Sequence, residues 1–421
     1  MSPAIPGIVH IKRNWHLEQN PFPSQGIARL GGEDERENGL LFDPVVQDDK
    51  FREAAEKFGL GAAYSGLKFG FLWSLGTGLH GDARGFGKSS LMQHLAETIN
   101  EDFGEEVFLQ AGLDASDSEE HPICAVLASF DMANVRSLHA VFFAAVEYAC
   151  RFHRPEYPTL LERGYERLTN RMGSSDQAQL VAAVNSTQLE LRGRTLGPPV
   201  TEFLELLCSG DFQGVVEHLG NVTPTRRTRN GALYLATLLI FLKTAGIAHV
   251  LLCCDQLEDF AATTTAKQKR TLEIERFRDY LLEIQPMADL LSVVVTMHPR
   301  AVQAIAEMWQ LADLPSYEHD RAENRHRVVI LERVGSAEKT SRLLLRYLDR
   351  FRAGDAPADL DPLAPFTGDA IDAVFARSDG KPRDILRKAQ ALVERGAEEN
   401  WDVIDGARAA QLLDTWALDE A

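Results

Sequence analysis

Cysteine is scarce and scattered. Five residues (Cys124, Cys150, Cys208, Cys253, Cys254) occur in 421, with no CxxC and no ligand-like spacing to any of the twelve histidines. That excludes a disulfide scaffold and a Cys/His zinc site, and it fits a reducing compartment. Long hydrophobic runs are missing as well. The longest, Ala232 to Leu242, stops at Lys243, short of the ~20 residues a membrane span needs. Met1 to His10 lacks the charged-then-apolar pattern of a secretory signal. Positive charge is in deficit, with 44 Lys+Arg against 62 Asp+Glu and a net charge of −18. So acidic a chain is not suited to sequence-independent nucleic-acid binding over a broad cationic face. No internal repeat or low-complexity tract interrupts it. The expectation is a soluble, cytoplasmic protein without a membrane partner.

What is present is an ordinary globular composition, 45% apolar and 25% charged, on a chain long enough for two or three domains. Charge is uneven along it. Nine acids to three bases fall between Glu33 and Glu56, and eight bases to four acids between Arg321 and Arg350. A run of like charge usually marks a solvated face.

Residues 1–60 are punctuated by Pro and Gly (Asn20-Pro21-Phe22-Pro23, Gly31-Gly32) and then turn acidic and helical, which reads as an N-terminal arm. Buried strands are predicted at Phe69 to Leu79, Cys124 to Phe130, His249 to Asp255, Leu290 to Thr296 and Val328 to Leu331. Helical patterns alternate with them, at Ser89 to Ile99, Ser137 to Phe152, Ala232 to Thr244 and about 267–284. Short, continuously apolar strands between helices indicate an α/β fold whose parallel sheet is covered on both faces. The stretch 153–230 is helix-rich and includes Thr225-Arg-Arg-Thr-Arg229, which reads as a basic turn. Beyond 335 only helices are expected, at Ser336 to Phe351, Gly368 to Arg377, Lys381 to Arg395 and Ile404 to Trp416.

Four segments carry chemistry. Gly81-Asp82-Ala83-Arg84-Gly85-Phe86-Gly87-Lys88-Ser89-Ser90 joins a strand to a helix. Backbone N–H groups there would cradle phosphate oxygens, Lys88 would reach the β/γ-phosphates and the Ser89 hydroxyl would ligate Mg²⁺. The strict phosphate-loop pattern wants Gly at 82 and finds Asp. The second segment is His249 to Asp259. Asp255 ends an apolar strand, as a Mg²⁺-organising carboxylate requires. Gln256 follows it; an amide orients water but cannot take its proton, which leaves Glu258 and Asp259 as the nearest bases. In the third, Thr296 ends a buried strand and could sense a γ-phosphate or position water, while His298 reads as a strand-end histidine. In the fourth, Gly380-Lys-Pro-Arg383 starts a helix with Pro in its first turn.

The order of these four segments resembles the AAA+ ATPases, and most closely their initiator-type and STAND-type branch. Asp255-Gln-Leu-Glu258 is similar in wording to bacterial STAND-like members. The resemblance covers roughly 60–130 and 230–421. It implies Walker A at 81–89 (with Gly85, Phe86, Gly87, Lys88, Ser89 and Ser90 on the nucleotide), Walker B at Asp255, sensor 1 at Thr296 and sensor 2 at Arg383. It also implies an arginine finger just before the last core strand, where Arg321 and Arg325 are available. The implied organisation is an arm (1–60), a P-loop core (61–334) with a helical insertion near 153–230, and a helical lid (335–421). Departures are Asp82, Gln256 and the 167 positions between Lys88 and Asp255.

The function so implied is an oligomeric ATP- and Mg²⁺-dependent switch that acts on DNA or gates a protein effector, as in replication, transposition or phage defence. The competing expectation is a nucleotide-binding scaffold that does not hydrolyse, to which Gln256 and Asp82 point. A clamp using Arg226, Arg227, Arg229 and the 321–350 stripe would bind duplex DNA as an accessory property.

Overall fold

A computed structural model describes residues 6–25, 34–39, 41–75, 85–129, 137–150, 158–256 and 267–419. Five strands make the main sheet: β1 (Phe69–Ser74), β2 (Ile123–Ser129), β3 (His249–Asp255), β4 (Leu291–Met297) and β5 (Val328–Leu331). Their spatial order is β2-β3-β4-β1-β5, and β2 with β3, β3 with β4, and β4 with β1 pair in parallel. Every residue of β1, β3 and β4 is buried, as continuous runs such as Val-Leu-Leu-Cys-Cys and Ser-Val-Val-Val demand of a sheet covered on both faces. Register sets which residues share the strand ends. Ser129 lies opposite Asp255, Cys254 opposite Val295, and Leu72 opposite Thr296. Asp255 and Thr296 therefore share one level at the carboxyl ends of neighbouring strands.

The chain divides into two compact units. One comprises Arg52–Gly76 and Met92–Ile330, the other Met1–Phe51, Thr77–Leu91 and Leu331–Ala421. The first holds the sheet and the helices Leu160–Met172, Gln177–Glu190, Thr201–Ser209 and Phe212–Asn221. Thr159 and Glu162 form a reciprocal capping box at the first of these, and Gly173 ends it in a left-handed conformation. The basic segment Thr225 to Arg229 is helical, not a turn. It opens the helix Pro224–Thr244, because Thr223 caps that helix through the Arg226 N–H and Pro224 occupies its first turn. The β1 strand ends at Ser74, earlier than the apolar pattern predicts; residues 76–84 lie outside the described part. No helix among the described residues is long and apolar enough to cross a membrane.

At the opposite edge of the sheet, where β3 and β4 begin, His249 is buried. Its Nε2 lies 2.7 Å from Ser292 Oγ, and the Ser292 hydroxyl donates to the Leu67 carbonyl. Ser292 thus spends its only proton on Leu67, and His249 donates to it from a neutral ring. Burial, aided by the Lys68 charge, pushes His249 down to about 3. An unfolded histidine titrates near ~6.5. As pH falls below that value the unfolded chain takes up a proton that the folded chain refuses, so stability drops. This one group should contribute a slope of up to about 1.4 kcal/mol per pH unit until pH approaches its folded value. Urea midpoints between pH 7 and 4 should show that slope in the wild type and a flatter profile in His249→Gln.

The second unit joins the N-terminal residues to the C-terminal helices Ala337–Arg350, Gly368–Ser378, Pro382–Glu398 and Gly406–Asp419. Trp15, Leu17 and Phe22 are buried in one core with Leu344, Leu348, Phe366, Ile385 and Leu392. Phe22 packs against Tyr347 and Phe366, and the Trp15 indole donates to the Asp402 carbonyl. Each such side chain, fully buried, is worth about 1.5–3 kcal/mol, so the N-terminal segment is part of the packing of this unit. The two oppositely charged stretches of the sequence meet here. Arg350 grips Glu35 through two nitrogens, at 2.5 and 2.6 Å, Arg342 lies 3.8 Å from Asp43, and Lys50 lies 3.4 Å from Glu332.

Candidate functional site

The glycine-rich segment 81–90 enters the described structure at Gly85. Gly85 and Gly87 have φ of +84° and +88°, a left-handed backbone that only glycine adopts without strain. Phe86 between them is buried, and Lys88 is the first residue of the helix Lys88–Asp102, whose ladder opens with the Leu91 N–H on the Gly87 carbonyl at 2.9 Å. The first N–H groups of a helix have no partner within it and carry a partial positive charge, and Lys88, Ser89 and Ser90 occupy that first turn. Gly81, Asp82 and Arg84 lie outside the described residues.

Arg383 meets this loop. Its backbone N–H donates to the Gly85 carbonyl at 3.1 Å, and a Cβ built on Gly85 would come within 2.6 Å of the Arg383 Cβ. The geometry follows from local sequence. Asp379 and Gly380, at φ +54° and +66°, reverse the chain after the helix Gly368–Ser378, and Pro382 starts the next helix in its permitted first-turn place. The Gly380 carbonyl accepts from the Val334 N–H at 2.7 Å, and Arg333 pairs with Asp379, which fixes the turn. The Arg383 amide is thus an otherwise orphaned helix N–H, satisfied by the loop. Arg383 Nε also donates to the Gln25 carbonyl at 3.4 Å.

The second group of candidates lies at the sheet edge. Asp255 and Thr296 are 3% and 1% exposed. The Thr296 hydroxyl donates to Asp255 Oδ1 at 2.8 Å, and the Gln256 N–H is directed at both Asp255 Oδ1 and Thr296 Oγ1, 3.0 Å from each. Gln256 sits at φ +61°, a left-handed conformation that marks the abrupt end of β3. His298 is buried, and its Nδ1 lies 3.4 Å from the Ala301 N–H at the head of the helix Pro299–Leu311. That is the contact of a capping histidine. Glu258 and Asp259 lie outside the described residues, which resume at Lys267.

The two arginines offered before β5 have different surroundings. Arg321 pairs with Glu318 and Glu323. Arg325, at the end of the short helical turn Ala322–Asn324, is exposed and makes no ion pair among the described residues. Of the 321–350 stripe, Arg321, Arg333, Arg342 and Arg350 are bound to carboxylates. In the 225–229 cluster, Arg227 is turned inward onto Glu147 and the carbonyls of Leu219 and Val222. These five side chains are paired with acids of the same chain.

Cys124, Cys253 and Cys254 are buried in the sheet, and burial pushes the Cys253 thiol up to about 12. Among the described residues, no group of three or more His, Cys, Asp and Glu could hold a metal ion. Sequence reasoning missed the two contacts that organise these candidates, Arg383 on Gly85 and Thr296 on Asp255. Both join residues far apart in the chain, and no local pattern encodes them. A comparison with models of known protein families and with curated protein sequences finds no match to either, so the architecture stands as an α/β fold with a five-stranded parallel sheet.

Proposed function

We propose that the protein binds ATP with Mg²⁺ and hydrolyses it as a self-assembling switch of the AAA+ type. The observation that carries this reading is the hydrogen bond from the Arg383 N–H to the Gly85 carbonyl. Through it, the N-termini of two helices, Lys88–Asp102 and Pro382–Glu398, meet at one glycine-rich loop. Paired helix N-termini suit a polyphosphate. A decorative surface turn would have no need of the second helix start.

In this reading the loop amides and Lys88 hold the phosphates, and Arg383 responds to the γ-phosphate. The Ser89 hydroxyl in one unit and the Asp255 carboxylate in the other each offer a hard oxygen of the kind Mg²⁺ takes when phosphates supply the rest. The ion would neutralise charge developing between the β- and γ-phosphates. Gln256 orients water, and the proton acceptor is sought at Glu258. Arg325 is the preferred finger for a neighbouring copy, because Arg321 is already tied to two glutamates. A protein effector, or DNA as an accessory partner, would read the assembled state.

ATP turnover measured against protein concentration, with and without duplex DNA, tests this reading. Turnover rising faster than linearly is expected. Saturable ATP binding with negligible turnover at every concentration would favour the non-hydrolysing scaffold, the reading to which Gln256 lends weight. Duplex binding that weakens steeply with salt would restore the clamp.

A further inference from the structure

We infer that Thr296 is a positioning residue that fixes the Asp255 carboxylate, and that it does not donate to a γ-phosphate; the inference rests on the nucleotide-binding reading above. The hydrogen-bond inventory leads to it. A threonine hydroxyl has one proton to give. Thr296 gives it to Asp255 Oδ1 at 2.8 Å, while its oxygen accepts from the Gln256 N–H at 3.0 Å. The hydroxyl is therefore occupied as donor, and its bond runs to a carboxylate, among the stronger kinds available in a protein. A phosphate oxygen could claim that proton only by releasing Asp255.

The arrangement is also stiff. Thr296 is β-branched on a buried strand, so its rotamer is restricted. The left-handed turn at Gln256 aims that residue's N–H back at the same two oxygens, closing a three-membered network. Oδ1 of Asp255 accepts twice, from Thr296 and from Gln256. That fixes the plane of the carboxylate, the property a metal-organising acid needs. The backbone of Gln256 thereby has a role independent of its side chain, so an amide in place of a carboxylate at this position leaves the clamp intact.

The experiment is a Mg²⁺ titration of fluorescent ADP and ATP analogues binding to wild type, Thr296→Ser, Thr296→Val and Asp255→Asn, with thermal melts as a check on folding. A residue that orients a metal ligand typically costs 10–100-fold in metal affinity when lost. Thr296→Val should therefore raise the Mg²⁺ requirement about 10–100-fold for ADP and ATP alike. Thr296→Ser, which keeps the hydroxyl, should stay near the wild type, and Thr296→Val should add nothing further in the Asp255→Asn background. If valine prevents folding, Thr296→Ala is read in the same way. Loss of ATP binding alone, with ADP and the Mg²⁺ midpoint unchanged, would overturn the inference in favour of a γ-phosphate donor. An unchanged Mg²⁺ midpoint for both nucleotides would reduce Thr296 to a satisfied core hydroxyl. Failure of the wild type to bind either nucleotide would be a failure of the parent reading, visible before any Thr296 variant is compared.

Discussion

ATP turnover by Arg325→Ala should fall by about 10³-fold or more at concentrations where the wild type assembles, the lower end of what an arginine finger supplies in GTPases. Folding should be almost untouched, because Arg325 is exposed and makes no ion pair among the described residues, and such surface substitutions usually cost within ~0.5 kcal/mol. Nucleotide affinity should also persist, since the finger acts on transition-state charge. Arg321→Ala is the comparison. Its guanidinium is held by Glu318 and Glu323, so its removal should leave most of the turnover in place. The reverse ranking would mean that assembly frees Arg321 from its glutamates and recruits it instead. Equal, full activity in both variants would remove the finger from the mechanism.

Lys88→Ala should show the complementary defect. A charge-assisted hydrogen bond to phosphate is worth about 1.5–3 kcal/mol, which weakens nucleotide binding by about 10–150-fold at 1.4 kcal/mol per decade. Turnover should drop by about 10²–10³-fold, the usual cost of deleting one preorganised group that stabilises transition-state charge. Alanine is the best helix former, and the position is the first of the helix Lys88–Asp102, so the fold should survive. The two variants can be combined in one tube. If the finger acts between copies, mixing inactive Lys88→Ala with inactive Arg325→Ala should restore part of the turnover, because some mixed assemblies contain a site with both residues intact. No recovery on mixing, with each variant shown to associate, would place the arginine in its own subunit's chemistry or outside it.

The strands were the most legible part of the fold. His249 to Asp255 and Val328 to Leu331 have the predicted bounds, because a strand covered on both faces carries a nearly continuous apolar run that stands out from its surroundings. Two helix starts with local caps were readable, at Ser137, whose hydroxyl accepts from the His139 N–H, and at Ser336, which caps through the Lys339 N–H. Thr225 to Arg229 misled because its composition is that of a turn. The Thr-Pro pair just before it is a helix start, and that signal outweighs five polar residues.

The sequence by itself determined the alternation of buried strands and helices, the glycines at 85 and 87, and the polar residues at the strand ends, since each is dictated by local backbone and burial requirements. Tertiary structure decided what no local pattern encodes. It brought the acidic stretch near 35–50 onto the basic stretch near 332–350, turning two apparent solvent-facing runs into partners. It buried Trp15 and Phe22 among the C-terminal helices, making part of that unit from what reads in sequence as an arm. It also joined Arg383 to Gly85 and Thr296 to Asp255 across 298 and 41 positions of chain respectively (383 − 85 and 296 − 255). The physical reason is the same in each case. Periodicity and propensity report on interactions within a turn or two of chain, whereas ion pairs, cores and hydrogen-bonded sites are settled by which distant surfaces the fold brings within a few ångströms.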